Sequence, residues 1–183
     1  MKQLFIIFLT VSVFASTKAV HNSFLFDPEA HHISIGLSEK GRVASKLEGE
    51  DYQTALLKPR IPSDGRSYVE FEILDQAASQ CFMGLGVCKG THDYLGDRSA
   101  MAAKEAWMLS TQSGKWYTNE GEASQYLSGM GTAPFYPGDD AVRLRSVRPR
   151  AGDKVGLLLD MGRRELTVTV NGQSQGVMAK DLP

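Results

Sequence analysis

The chain has 183 residues, enough for one well-filled domain, and its 20 basic residues nearly balance 21 acidic ones. This balance argues against strong attraction to nucleic acid, which depends on a basic excess. Its 18 glycines and frequent turn motifs favour an all-β fold with many tight connections.

Residues 1–19 are organised like a secretory signal peptide. Lys2 precedes an apolar run that extends from Leu4 to Ala15, and small residues up to Ala19 offer cleavage sites. The run is too short to span a bilayer, so we expect no transmembrane span in the mature chain. This interpretation predicts the secretory pathway or an extracellular location. The alternative is an uncleaved, apolar first strand of a cytoplasmic domain.

In two respects, the sequence lacks features that are usual in secreted proteins. None of the three asparagines begins an Asn-X-Ser/Thr glycosylation site. Cys81 and Cys88 stand in one apolar stretch, so on a single strand they would face opposite sides and lie more than about 20 Å apart. We therefore expect two buried thiols and no disulfide between them.

Residues 24–183 have the pattern of one β-rich domain. Strands are predicted where apolar and polar residues alternate, and in the first half these are 33–37, 42–47, 52–57 and 68–74. A loop is predicted at 58–65, because two prolines and an Asp-Gly pair break any hydrogen-bonded ladder. In the last of these strands, Val69, Phe71 and Ile73 are expected to share the buried face.

The second half predicts further strands. A central strand at 82–88 is expected to pack closely at Gly84 and Gly86, and short strands follow at 107–109 and 115–117. Residues 152–178 contain three alternating strands in a row, and Asn171-Gly172 supplies the two positive φ values of a type I′ hairpin turn. This arrangement indicates an antiparallel meander.

Four segments, taken in order, resemble the SPRY domain family. They are GRSYVEFEIL at 65–74, MGLGVC at 83–88, WMLSTQSGKWY at 107–117 and GDKVGLLLDMGRRELTVTVNGQSQGVM at 152–178, followed by Leu182-Pro183. The resemblance implies a bent antiparallel β-sandwich, a concanavalin-like jelly roll, over residues 24–183. The family pattern continues with one more strand after Leu-Pro. Two expectations follow: either the sequence is a fragment whose sandwich lacks its last strand, or the closing strand comes from elsewhere, such as the N-terminal apolar run.

The resemblance also implies a non-catalytic protein-interaction module. Such a module binds a peptide or a folded protein through loops at one end of the sandwich, and rigid sheets limit the entropy lost on binding. The corresponding loops here are Lys58–Arg66, Lys89–Ala106 and Glu120–Arg150. From loop position and residue type, we predict partner contacts at Arg60, Tyr94, Trp116, Tyr136 and Arg145.

The sequence offers no catalytic, metal-binding or cofactor-binding motif, so we expect no enzyme activity and no cofactor. His31 and His32 are adjacent, and on a strand they would point in opposite directions. Glu70, Glu72 and Asp75 would suit a β-sandwich glycosidase, but a solvated strand face explains these acids as well. A carbohydrate-binding, lectin-like module is the main alternative, and a signal peptide would favour it.

Overall fold

The computed structural model describes residues 4–6, 10–11, 15–19, 24–47, 53–76, 83–89, 106–111, 116–118 and 149–183. Regular structure within these ranges consists of β-strands and one short 3₁₀ turn, Glu39–Gly41, with no α-helix. The predicted all-β fold is therefore confirmed.

Seven strands precede the long central strand of the fold. They are β1 (Leu4–Ile6), β2 (Thr10–Val11), β3 (Ala15–Ala19), β4 (Leu25–His31), β5 (Ile35–Ser38), β6 (Val43–Lys46) and β7 (Ala55–Lys58). The next seven are β8 (Arg66–Gln76), β9 (Met83–Lys89), β10 (Ala106–Ser110), β11 (Trp116–Thr118), β12 (Lys154–Asp160), β13 (Glu165–Val170) and β14 (Gln173–Ala179).

These strands form three antiparallel sheets. The largest has seven strands in the order β14-β13-β12-β8-β3-β6-β5. A five-stranded sheet has the order β1-β9-β10-β11, with β2 also paired to β9, and β4 and β7 form a two-stranded sheet. The predicted meander is confirmed as β12, β13 and β14, and β12 pairs directly with β8.

The hydrophobic core lies between the seven-stranded and five-stranded sheets. Phe71 and Ile73 from β8 are fully buried in the same cluster as Leu85 and Met83 from β9. Phe26 of β4 joins them, and its ring centroid lies 6.4 Å from that of Phe71. Period-two burial along β8 and shared packing with β9 define two facing layers, so the chain is a β-sandwich.

Strand β9 is buried on both of its faces, which explains its glycines. Residues Met83 to Cys88 are all buried. A β-carbon placed on Gly86 would collide with the backbone of β10, at the Trp107 carbonyl oxygen and the Met108 α-carbon. The close packing predicted at Gly86 is therefore confirmed, and it is a contact between backbones that no side-chain rotation can relieve.

The turn between β13 and β14 has the predicted geometry. Asn171 and Gly172 have φ values of 51° and 76°. The Asn171 side chain also accepts a 2.9 Å hydrogen bond from the Lys154 backbone N–H and donates one of 2.8 Å to Asp153 Oδ1. This side chain thus ties the hairpin turn to the start of β12.

Most predicted strands differ from the observed ones by one to three residues at an end, as at β7, which runs over 55–58 instead of 52–57. The sequence predicts that Ile33 begins a strand, but Ile33 lies in a turn and is 87% exposed. The Ile35 N–H donates a hydrogen bond to His32 O, and this bond forms the turn. Strand β8 runs over 66–76 instead of 68–74.

Part of the predicted leader is extended chain within the sheets. Strands β1 and β2 pair with β9, and β3 pairs with both β6 and β8. The described residues of the N-terminal segment thus pair with strands of both larger sheets. Cleavage of residues 1–19 and secretion stay predictions.

Candidate functional site

Several connections meet at one end of the sandwich, which we call the loop end. It comprises the loop 59–65, the turn 161–164, the C-terminal residues 180–183 and the adjoining ends of the strands. The Met161 N–H donates a 2.9 Å hydrogen bond to Gly65 O. This bond joins the loop to the turn, so the two form one continuous surface.

The five-stranded sheet reaches the same end. A small cavity of about 10 Å³ between the layers is lined by Ser67 and Leu159 of the seven-stranded sheet and by Val87 of β9. Ser67 and Leu159 are each one residue from the loop end of their strands, and Val87 is two residues from the end of β9. The last residue of β9, Lys89, therefore lies at the loop end.

Because β9, β10 and β11 pair in antiparallel fashion, β10 also begins and β11 also ends at the loop end. Ala106 pairs with Cys88 at the start of β10, and Trp107 pairs with Thr118 at the end of β11. The chain consequently leaves β9 after Lys89, enters β10 at Ala106 and leaves β11 after Thr118, all at the loop end.

The loop 59–65 is held by one buried apolar side chain. Ile61 is 7% exposed and belongs to the hydrophobic core, whereas Arg60 and residues 62–65 are exposed. At its base, Lys58 Nζ lies 3.4 Å from Asp27 Oδ1. Exposed ion pairs contribute at most about 1 kcal/mol, so the buried Ile61 is the stronger constraint on the loop.

The carboxylate of Asp160 fastens the turn to β8. Its Oδ1 accepts a 3.0 Å hydrogen bond from the Arg163 N–H, and its Oδ2 accepts one of 2.6 Å from Arg66 Nε. The Arg163 N–H, followed by the Arg66 side chain, lowers the pKa of Asp160 from its ordinary value. A charged Asp160 therefore sets the geometry at this part of the loop end.

Arg164 fastens the C-terminal residues to the same turn. Its Nη2 donates a 3.0 Å hydrogen bond to Asp181 O, and its Nε donates to Leu182 O. In return, the Leu182 N–H donates to Arg164 O at 3.1 Å, and the Leu182 side chain is fully buried. Arg164 adopts a φ of 56° in the left-handed region. Sequence reasoning missed both Arg164 and Asp160, because only the folded turn brings their partners near.

The predicted partner contacts divide between described and undescribed residues. Arg60 is exposed in loop 59–65 at the loop end. Trp116 is the first residue of β11 and pairs with Leu109, two positions before the strand reaches the loop end at Thr118. The other three contacts, Tyr94, Tyr136 and Arg145, lie outside the described residues, as do most residues of the two longer predicted loops.

A polar cluster occupies the outer face of the seven-stranded sheet. The Tyr68 hydroxyl donates a 2.8 Å hydrogen bond to Glu70 Oε2, and it lies above Gly156 beside the Thr169 hydroxyl. Burial is the main cause that raises the pKa of Tyr68, and the Glu70 carboxylate adds to it, while the neighbouring Thr169 hydroxyl opposes it. The cluster thus presents a hydroxyl and a carboxylate in fixed relation on a half-buried sheet face.

The acids proposed for a glycosidase are partly accounted for by this cluster. Glu70 and Glu72 are half-buried on the outer face, Glu72 stands opposite Lys154 in the adjacent strand, and Asp75 is exposed near the far end of β8. Glu70 already accepts the Tyr68 hydroxyl. This hydrogen bond orients the Glu70 carboxylate. Such an orientation is compatible with a binding site and equally with a purely structural cluster.

The two adjacent histidines are engaged with nearby backbone. His31 Nδ1 lies 2.9 Å from His32 O, and His32 Nδ1 accepts a 3.1 Å hydrogen bond from the Ser34 N–H. Across the part of the chain that the structure describes, no three His, Cys, Asp or Glu side chains are grouped to hold a metal ion. Within the same residues, no helix has the length and apolarity needed to cross a membrane.

The structure is thus an all-β, antiparallel sandwich in which several connections meet at the loop end. No protein-family model matches the chain. A comparison with curated proteins also finds no match.

Proposed function

We propose that the chain is a non-catalytic interaction module that binds a peptide or a folded protein through the loop end. The resemblance to the SPRY domain family motivates this proposal. The observation that carries it is the convergence of strand ends at one end of the sandwich, where Lys58, Arg66, Lys89, Ala106 and Thr118 lie.

The construction of the loop end supports binding in a preformed shape. Ile61 fixes the short loop from inside, and Asp160 and Arg164 fasten the neighbouring turn and C-terminal residues. A surface held in this way loses little conformational entropy when a partner binds, so its contacts contribute more fully to affinity.

The charge of the loop end favours a partner with accessible carboxylates or carbonyls. Arg60 is exposed in the loop, and Arg163 is exposed in the adjacent turn, where its backbone N–H donates to Asp160. Guanidinium groups bind carboxylates and carbonyl oxygens through several directed hydrogen bonds. We therefore propose an extended acidic segment or a protein surface with exposed carboxylates as the partner.

Selection from a random peptide display library against the immobilised chain tests the proposal. A variant with Arg60, Tyr94, Trp116, Tyr136 and Arg145 all changed to alanine is expected to lose at least tenfold in affinity for the selected peptides. A control variant changes Asp75, Lys154 and Gln173 to alanine, which are exposed at the opposite end of the sheet. Equal binding by both variants would refute the assignment of the loop end.

Carbohydrate binding is the second candidate, and the outer-face cluster is what favours it. A tyrosine hydroxyl and a carboxylate held 2.8 Å apart can together bind adjacent sugar hydroxyls. A glycan array separates the two candidates, since the proposed peptide-binding module gives no signal on it. Glycan binding that disappears in Glu70→Gln but survives the five-residue loop-end change would favour the sheet face. Hydrolysis of a glycan that disappears in the same variant would make the chain an enzyme.

A further inference from the structure

Strand β3 lies in the interior of the seven-stranded sheet. On one side Ser16, Thr17 and Lys18 pair with Ser45, Ala44 and Val43 of β6. On the other side, residues 15–19 pair with the second half of β8, from Phe71 to Gln76. The five residues of β3 therefore form the only described link between β8 and the pair β6 and β5 in this sheet.

The register places β3 against the core. Thr17 stands opposite Ile73 on one side and Ala44 on the other, and both of these neighbours are fully buried. Adjacent strands lie about 4.8 Å apart, so β6 and β8 are separated by about twice that distance, the width of one extended chain. Without β3, two rows of backbone donors and acceptors would face each other across this gap, and buried polar groups of that kind require partners.

We propose that the gap between β6 and β8 is a strand-acceptor site, and that the chain's own residues 15–19 occupy it. A strand inserted between two edges forms hydrogen-bonded ladders on both sides, which an edge-bound peptide forms on one side only. The segment Ala-Ser-Thr-Lys-Ala suits such a site because its side chains are mostly small. This site is separate from the loop end and does not depend on the proposed function there.

Removal of the N-terminal residues would empty this strand-acceptor site. Ala15 and Ala19 are the positions at which the sequence predicts cleavage, and they are also the first and last residues of β3. Cleavage after Ala19 would remove the strand from an interior position. The emptied site would then accept an extended peptide of similar sequence, so processing would convert a self-completed sheet into a peptide-binding one.

Cysteine cross-linking tests the occupancy of the site in the full chain. In the variant Ser16→Cys with Ser45→Cys, the new thiols stand at directly paired positions, where β-carbons lie within about 5.5 Å. The matched control is Ser16→Cys with Ala44→Cys, which is one residue out of register and so directs the second thiol to the other face. After mild oxidation and proteolysis, mass spectrometry measures the linked peptides, which also distinguishes them from bonds to Cys81 or Cys88.

The expected result is at least tenfold more linkage in the paired variant than in the control, within single chains. Equal linkage in the two variants would overturn the proposal. Linkage found only between two chains would also overturn it, because the site would then be filled by a second copy.

Complementation by a peptide provides the second test. Thr17→Pro removes a backbone donor from the middle of an interior strand, which disfavours its insertion. A synthetic peptide with the sequence of residues 12–22, SVFASTKAVHN, is expected to bind this variant at least tenfold more tightly than it binds the intact chain. The same peptide with proline at Thr17 is the control.

If Thr17→Pro does not fold by itself, refolding with and without the peptide gives the readout. Recovery of the β-sheet circular dichroism signal with SVFASTKAVHN, but not with its proline form, supports the site. No binding and no recovery with either peptide, or equal effects of both, would contradict it.

Discussion

Tyr68 occupies the space above Gly156 on the outer face of the seven-stranded sheet. A β-carbon at Gly156 would collide with the Tyr68 hydroxyl and with the Thr169 hydroxyl. Both groups come from strands that flank β12, so one missing side chain allows three strands to share a polar cluster. Gly156 is thus required for packing, although nothing in its backbone conformation demands glycine.

Gly156→Ala is expected to destabilise the protein by about 1–3 kcal/mol, since the new methyl group must displace the Tyr68 and Thr169 side chains. Urea unfolding followed by circular dichroism measures the loss. Gly162→Ala is the control for the added methyl group, because its nearest atom, Asp160 Oδ1, lies 3.3 Å away, which is a tight contact but a much milder one than the collision at Gly156. Tyr68→Phe combined with Gly156→Ala should cost less than the two changes summed, because the hydroxyl is one of the colliding atoms. Strict additivity would contradict this packing.

Gly86→Ala is expected to be more damaging than Gly156→Ala. Its β-carbon would meet backbone atoms of Trp107 and Met108, which cannot rotate away as a side chain can. We expect a loss at or above the upper end of roughly 1–3 kcal/mol, or failure to fold. Expression yield and urea unfolding under identical conditions measure the difference between the two alanine variants. A smaller loss at Gly86 than at Gly156 would show that β9 and β10 lie farther apart than described.

Asp160 is expected to make stability depend on pH in the acid range. Its pKa is lowered below 3.8 in the folded protein by the Arg163 N–H and the Arg66 side chain, so the folded state favours the charged form. The resulting stabilisation is fully present above the unfolded pKa and disappears as the pH falls through the lower, folded pKa. The difference in unfolding free energy between the native chain and Asp160→Asn should therefore be constant well above pH 3.8 and shrink below it.

Asp64→Asn is the control for the loss of one negative charge at the loop end, since Asp64 is exposed in the adjacent loop. A stability difference for Asp160→Asn that grows on acidification would mean that the hydrogen bonds to Arg163 and Arg66 do not favour the carboxylate.

Cys88 is expected to resist alkylation while the protein is folded. Its side chain is fully buried, and burial raises the pKa of the thiol well above its ordinary value, so little reactive thiolate is present. With iodoacetamide at pH 8, the Cys88 peptide should be modified at least about tenfold more slowly in the native chain than in urea. Mass spectrometry of the digested chain measures both rates. Equal rates would show that β9 is exposed to solvent.

The sequence by itself determined the local strands and turns. The meander β12–β14 was predictable because each of its strands pairs with the next one along the chain, and alternating burial and Asn171-Gly172 specify such hairpins locally. Close packing at Gly86 followed from the same reasoning, since glycine in an apolar strand signals close backbone approach. Arg60 was correctly placed in an exposed loop, because prolines on both sides stop the strands there.

Only the tertiary structure decided which distant residues meet. Three contacts join segments that are far apart in the sequence or separated by a strand. They are the pairing of Thr17 with Ile73, the contact of Tyr68 with Gly156, and the hydrogen bonds from Arg164 to the C-terminal carbonyls. Strand periodicity specifies which face of a strand is buried but not which edge it pairs with, because every strand offers the same backbone donors and acceptors on both edges. The choice of neighbour depends on the summed packing of the whole sandwich, and for this reason residues 15–19, at the end of a segment that resembles a leader, can lie in the interior of a sheet.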